Sequence, residues 1–402
     1  MAHASKRNLA IVAGLCGTLG LCGWAFYAAI FWREPAGDWL VFYTAARAHL
    51  EGDHALIWDG VRFTAVLNER FASWLADPLT LHPWVYPPSF LLLLLPFGLL
   101  SAGAGMALFL AVTYAGLLVA ARGVAADRTT WRLFLATLLL GPAVGSTVFT
   151  GQNAFLTGAL LLGGFGLIAR RPVLGGAVLG LLTLKPQLFL MVPVALLGAR
   201  NWRALAAAAP SAGLLALASL AVFGAADWRQ WFGLASGASA QYASWLAAGR
   251  LKGMSVFACA SLLGAPPVLA NLAQAAAIVF AGAAVFWLFR RGVRRELGLA
   301  AVLAGTMLAA PHASMQDGVL LGLAAAAFLG ATLEDGLSIG DAVLAAAVWL
   351  SPLFNPPSLI RTGLLTPILL ALFLVRIVGM LPRRRPEPAA ATARTGQSSL
   401  AS

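Results

Sequence analysis

Charge is scarce in this chain. Only 10% of its 402 residues are Asp, Glu, Lys or Arg, and 60% are hydrophobic. Soluble domains carry roughly 25% charged residues, so a soluble globular fold is excluded. Alternating ten-residue strands with turn signals are also missing, which excludes a transmembrane β-barrel. Cysteine is nearly absent. Cys16, Cys22 and Cys259 lie in apolar or near-apolar stretches without metal spacing, and they read as small hydrophobes rather than a disulfide framework. No Walker loop, no GxGxxG after a strand, no nucleophile elbow and no DxD pair occurs. ATP-driven transport and metal-dependent nucleotide-sugar chemistry therefore have no residues to carry them, and neither a cofactor nor a metal is expected.

What the chain does have is one apolar run after another, with no long soluble domain between them. The expected fold is an all-α polytopic membrane protein with about twelve transmembrane helices. The spans fall near 8–31, 103–121, 133–150, 152–169, 172–184, 186–199, 204–223, 267–290, 297–310, 317–333, 341–354 and 359–380. Lys6 and Arg7 precede the first run, and no small-x-small site leads into a polar domain, so an uncleaved first span is expected. The net charge of +12 reports topology first, not nucleic acid, and no nucleic-acid partner is expected. With this register, eighteen of the 27 Lys and Arg residues share the side of the N-terminus, which makes that side cytoplasmic. Residues 88–101 are too short to span comfortably and contain Pro96, so they either re-enter or form a separate crossing. The pair 172–199 must cross twice in few residues, which suggests broken helices around a cavity. One transmembrane domain covers 1–382, with external loops at 32–87 and 224–266, and the small, polar tail 383–402 is expected to be disordered.

The first external loop carries seven acids against four arginines. Within it, GDWLVFYTAARAHLEG (37–52) places Leu40, Val41, Tyr43, Ala46 and Leu50 at helical spacing, so an amphipathic helix along the membrane surface is expected. A second amphipathic piece follows around Val61–Leu75. Asp38 falls in the first turn of the earlier helix, where the dipole favours a carboxylate. It is either a helix cap or a general base held at the lipid–water boundary.

Asp38, Tyr86-Pro87-Pro88, Gly151-Gln152-Asn153, Lys185-Pro186-Gln187, Asp227–Ser255, Pro311-His312 and Asn355-Pro356-Pro357 all land on the non-cytoplasmic side in this topology. Polar groups at one depth between short helices point to a shared cavity. Lys185, followed by helix-breaking Pro186, is either a snorkelling lysine or an ammonium that binds a donor phosphate. Arg250 and Lys252 are further candidates for that phosphate. His312 is a capping or buried histidine, or a hydrogen-bonding partner for substrate. Asp317 is expected to cap the helix that begins there. Gln152 and Asn153 form a tight turn whose amides can also meet sugar hydroxyls, and Tyr86 and Gln187 join them as candidate substrate contacts. Arg47, His49, Asp53, His54, Asp59 and Arg62 are candidates for acceptor contacts or plain loop residues. Trp228, Trp231, Tyr242 and Trp245 form an interfacial belt or a sugar-stacking platform.

The order of these motifs resembles a known family. GDWLVFYTAARAHLEG, a YPP step, GQN, LKPQ with a basic RNWRAL turn, MSVFA and PHASMQDGVLL together are similar to glycosyltransferase family 87, polyprenyl-phosphate-sugar-dependent enzymes of the GT-C fold. The likeness runs from about residue 37 to 325 of the chain, and LKPQ with PH is its most telling pair. It implies a lipid-phosphate donor of a mannose-like hexose, a lipid or glycan acceptor, and chemistry on the periplasmic face of a multi-pass inner-membrane protein. It further implies inversion, with Asp38 as base, His312 near the site and Lys185 near the donor phosphate. The chain departs from the family in having Met315-Gln316-Asp317 where Tyr-Asp is common. Two other classes compete with this reading. A transporter or flippase of lipid-linked sugars would show internal repeats and polar residues on both faces, and a scaffold without chemistry would tolerate loss of Asp38.

Overall fold

The computed structural model describes residues 2–32, 35–247, 253–354 and 365–381. Among these residues the secondary structure is helical, with one isolated antiparallel bridge between Gly253 and Ser314. After α1 (Ala2–Phe31), the first polar segment holds α2 (Gly37–Leu50), α3 (His54–Trp58) and α4 (Gly60–Arg70). Then come α5 (Pro88–Gly98), α6 (Ala102–Val124), α7 (Arg128–Leu140), α8 (Pro142–Thr150), α9 (Ala154–Ile168), α10 (Pro172–Gly180), α11 (Pro186–Phe189) and α12 (Met191–Gly198). α13 (Trp202–Ala247) is broken at Gly224, whose φ of 78° and ψ of 172° are not helical. α14 (Val256–Leu262), α15 (Pro267–Arg290), α16 (Arg295–Ala309), α17 (Val319–Asp335), α18 (Ile339–Leu350) and α19 (Leu365–Gly379) complete the order. Short 3-10 turns cover Leu181–Leu184, Gln316–Gly318 and Ser351–Phe354.

Among the described residues, four helical stretches are long and apolar enough to cross a membrane: Ala102–Val124, Trp202–Gly237, Pro267–Arg290 and Gln316–Leu333. A fifth arises if α7 and α8, bent by 49° at Gly141, count as one broken span. The remaining apolar helices are shorter. This is an all-α, multi-pass membrane protein. Its central element is α17, whose residues Leu320, Leu321, Leu323, Ala324 and Phe328 are fully buried against α16, α7 and α18. Small residues set the tightest seam, as expected where helices pack in lipid. At Gly176 and Gly180 of α10, a Cβ would collide with the carbonyl oxygens of Ala204 and Ala208 on α13.

The segment expected as an external loop at 224–266 carries helix, since α13 continues past Gly224 to Ala247 and α14 follows. The structure departs from expectation at α2, which is not a surface-lying amphipathic helix. Trp39, Leu40, Val41 and Phe42 are buried at four consecutive positions, so its apolar residues are not confined to one stripe. α2 packs on α5 and α6 inside a second core with Phe63, Trp84 and Phe90. Each large apolar side chain fully removed from water there contributes roughly 1.5–3 kcal/mol. The tails 355–364 and 382–402, including Asn355-Pro356-Pro357 and the expected disordered segment, lie outside the described residues.

Candidate active site

The site begins where α2 begins. Ala36 takes a left-handed conformation (φ 61°), and its N–H donates to the carbonyl of Phe149 at 2.8 Å, tying the entry to α2 to the end of α8. Trp39 is buried and donates from Nε1 to the carbonyl of Ala102 at 2.8 Å, while the Tyr43 hydroxyl donates to the carbonyl of Leu100 at 2.9 Å. The first turn is thus fixed from two sides. Asp38 sits in that turn, but it is not the cap: Ala36 holds that position without a side-chain bond. Instead Asp38 Oδ2 accepts from Gln316 Nε2 at 3.2 Å. Burial raises the Asp38 carboxyl above the ordinary carboxylate range, opposed by the Thr150 hydroxyl that faces it and by His82 and Lys185, and reinforced by Asp317.

The Gly151-Gln152-Asn153 turn joins α8 to α9 as expected. Gly151 has a φ of 71°, and a Cβ there would collide with Cβ of Trp39, so only glycine lets the turn approach α2. Gln152 Oε1 accepts from the Tyr86 hydroxyl at 3.0 Å and from the Asn153 N–H at 2.9 Å. Burial pushes the Tyr86 phenol up to about 12, which keeps it a hydrogen-bond donor. Asn153 Oδ1 accepts from Lys185 Nζ at 3.3 Å, and Asn153 Nδ2 is buried with no hydrogen-bond partner among the described residues.

Lys185 occupies a true break. The 3-10 turn Leu181–Leu184 ends before it, its own φ and ψ are −136° and 77°, and α11 starts at Pro186, which lacks the N–H needed to continue a helix. The ammonium does not snorkel outward. It pairs with Asp317 Oδ1 at 2.5 Å, with the two side chains only 5% and 1% exposed. Asp317 Oδ2 accepts from the Ser314 N–H at 3.2 Å and the Ser314 hydroxyl at 3.0 Å. The expected capping role of Asp317 is therefore corrected. α17 starts at Val319 behind Gly318 without a side-chain cap, because both carboxylate oxygens are already engaged by Ser314 and Lys185.

His312 lies just ahead of this turn. Its ring packs on Tyr242 with centroids 4.5 Å apart and planes tilted by 55°, and burial lowers its basicity, which favours the neutral imidazole. Its Nε2 is buried without a partner. Buried orphan polar atoms are rare, and two of them, Asn153 Nδ2 and His312 Nε2, belong to this group of residues. Gln187 is half-buried two residues past Lys185 and stands outside the hydrogen-bonded group. Arg250 and Lys252 lie outside the described residues. The charged residues of the first loop serve the loop itself: Arg47 and Arg70 pair with Glu51, Arg62 pairs with Asp53, and Asp53 and Asp59 cap α3 and α4. His49 and His54 face each other with Nδ1 atoms 2.9 Å apart. Of the expected aromatic platform, Tyr242 reaches the site, whereas Trp228 and Trp231 pack on each other and on Phe232.

Sequence reasoning missed Gln316. Its neighbour Asp317 was a candidate, but the signal for Gln316 was only its departure from an aromatic residue. Among the described residues, no three His, Cys, Asp or Glu side chains come together to hold a metal ion. A cavity of about 630 Å³ between Arg171, Leu174 and Arg203 lies at the opposite end of α10 from Lys185, and an apolar one of about 350 Å³ lies between Trp24, Tyr114, Leu138 and Phe155. Two neighbouring residues of one turn thus hold the Asp38 carboxylate, through Gln316, and the Lys185 ammonium, through Asp317, and His312 lies five residues before Asp317. Residues 84–311 match the model of glycosyltransferase family 87. No curated protein and no solved structure matches the chain.

Proposed function

This chain belongs to glycosyltransferase family 87, and from that premise we propose that it moves a mannose-like hexose from a polyprenyl-phosphate donor to a hydroxyl of a lipid or glycan acceptor. In this reading about twelve crossings carry one transmembrane domain in the inner membrane, and the reaction occurs on the periplasmic face. Asp38 takes the proton of the acceptor hydroxyl as its oxygen attacks the anomeric carbon. The bond from that carbon to the phosphate oxygen breaks, and the polyprenyl phosphate leaves with the electron pair. One base on the face opposite the leaving group suffices for inversion without a covalent intermediate. Lys185 stabilises the departing phosphate, joined by Arg250 and Lys252, while Tyr86, Gln152, Asn153, Gln187 and His312 contact substrate hydroxyls.

One observation carries the reading. Asp38 and Lys185, far apart in sequence, are both bonded to the Gln316-Asp317 pair. The test uses purified protein, radiolabelled polyprenyl-phosphate-mannose and extracted membrane lipids. Transfer by the wild type is expected, and Asp38→Asn should lower it by about 10²–10⁴, the usual contribution of a general base. Movement of the labelled donor between leaflets without transfer would establish a flippase instead.

A further inference from the structure

The carboxylate of Asp38 needs more than a place on a helix. A base must present one oxygen to the acceptor and stay ionised while it is partly buried. The first turn of α2 supplies position but no bond to the carboxylate; an amide of the 3-10 turn Gln316–Gly318 donates to it, and the Thr150 hydroxyl of α8 faces it. Gln316 is buried, and its amide has only its donor end to offer an anion. The turn is held on both sides of that amide. The Thr147 hydroxyl of α8 donates to the Gln316 carbonyl at 3.3 Å, and the next residue, Asp317, is locked by Ser314 and Lys185.

We propose that Gln316 is a positioning residue for the base: its amide holds Oδ2 of Asp38 and leaves Oδ1 directed to the acceptor hydroxyl. The inference rests on the proposed function and assigns within it a residue whose chemistry differs from the aromatic one common at this place. A tyrosine hydroxyl can donate to a carboxylate as well, and the amide supplies that donor from a shorter, ring-free side chain. The groups facing Asp38 are His82 and Tyr86 from the loop before α5, the Thr150 hydroxyl from α8, Lys185 from the break before α11 and Asp317 from the turn itself. To this set Gln316 adds a neutral amide, which donates to Oδ2 of the carboxylate in the observed geometry. A hydrogen bond to the ionised form favours it, so loss of the Gln316 amide leaves Asp38 harder to ionise, and activity should begin at a higher pH.

The experiment is a pH profile of transfer by the full-length protein in detergent, with radiolabelled polyprenyl-phosphate-mannose and extracted membrane lipids. Gln316→Met keeps the side-chain length and removes the donor. Its acidic limb is expected to move up by about one pH unit, with the KM for the donor unchanged. Gln316→Glu places a second carboxylate against the first and should move the limb further, and Gln316→Asn, which keeps a donor, should move it less than Gln316→Met. In an Asp38→Asn background, Gln316→Met should cost no further activity, since its effect acts through Asp38. A folded Gln316→Met or Gln316→Glu protein whose acidic limb matches the wild type overturns the proposal, as does a further loss in the Asp38→Asn background. A wild type inactive with every polyprenyl-phosphate sugar overturns the transferase reading itself, and the positioning role with it.

Discussion

Replacing Lys185 by Met should unfold part of the protein before it reports on catalysis. The Lys185 ammonium and the Asp317 carboxylate are 2.5 Å apart and almost fully enclosed, at 5% and 1% exposure. Removing one partner of such a pair leaves an unpaired buried charge and costs about 3–5 kcal/mol. Lys185→Met strands Asp317, which keeps only its two bonds from Ser314. Asp317→Asn strands Lys185, which keeps only Asn153. Each single variant should therefore lose stability in that range. Replacing both, as in Lys185→Met with Asp317→Leu, removes both charges and should recover most of the loss, since an apolar pair of similar volume is often neutral or better. On the proposed role of Lys185 activity should not recover, because the double variant still lacks the ammonium. The assay is equilibrium unfolding in mixed micelles beside transfer rates for the three variants. Wild-type rates in the double variant would refute a phosphate-binding role for Lys185. Single variants as stable as wild type would refute the energetic argument, and with it the claim that the pair is buried in solution.

Other outcomes follow from the same geometry. Asp38→Asn should be at least as stable as wild type at neutral pH. A carboxyl whose folded pKa is raised favours folding in its protonated form, so this contribution fades as pH rises through the folded pKa, whereas Asn does not titrate and bears no such cost; a large drop in thermal stability would contradict this. Because the base must be ionised, the wild-type rate should fall on acidification at a pH above the ordinary carboxylate range, and a limb near pH 4 would contradict the burial of Asp38. Gly151→Ala should reduce both stability and transfer, since it forces a side chain into the left-handed region and against Trp39; unchanged melting would refute the tight approach. Cysteines introduced at 55, 126 and 292, all exposed positions, should react with an impermeant thiol reagent from outside only at 55.

The parts of this site that depend on neighbouring residues in the chain were legible. Pro186 announced the break at Lys185, glycine before two amides announced the turn at 151–153, and an acid early in a helix placed Asp38 in its first turn. The pairing of Lys185 with Asp317 was not legible, because a local rule makes an acid before a helix its cap and the true partner is 132 positions away. The same limit applies to Gln316. The surface placement of α2 failed for a different reason. Its spacing fits one apolar stripe, yet the loop folds over it with Phe63, Trp84 and Phe90 and buries the other faces as well. At α13 the charged and aromatic residues after Gly224 read as a loop, but Trp228, Gln241 and Tyr242 lie on a helical continuation.

The glycine seam between α10 and α13 restricts how this half of the protein can move. Where backbone meets backbone at Gly176 and Gly180, neither helix can slide or rotate against the other without carbonyl oxygens striking the opposing chain. These two helices therefore form a fixed wall, and the break that carries Lys185 stands at the end of it. Any rearrangement of this half of the molecule must therefore hinge elsewhere, and Gly224, where the helical geometry of α13 breaks and a Cβ would meet nothing, is the open position for it.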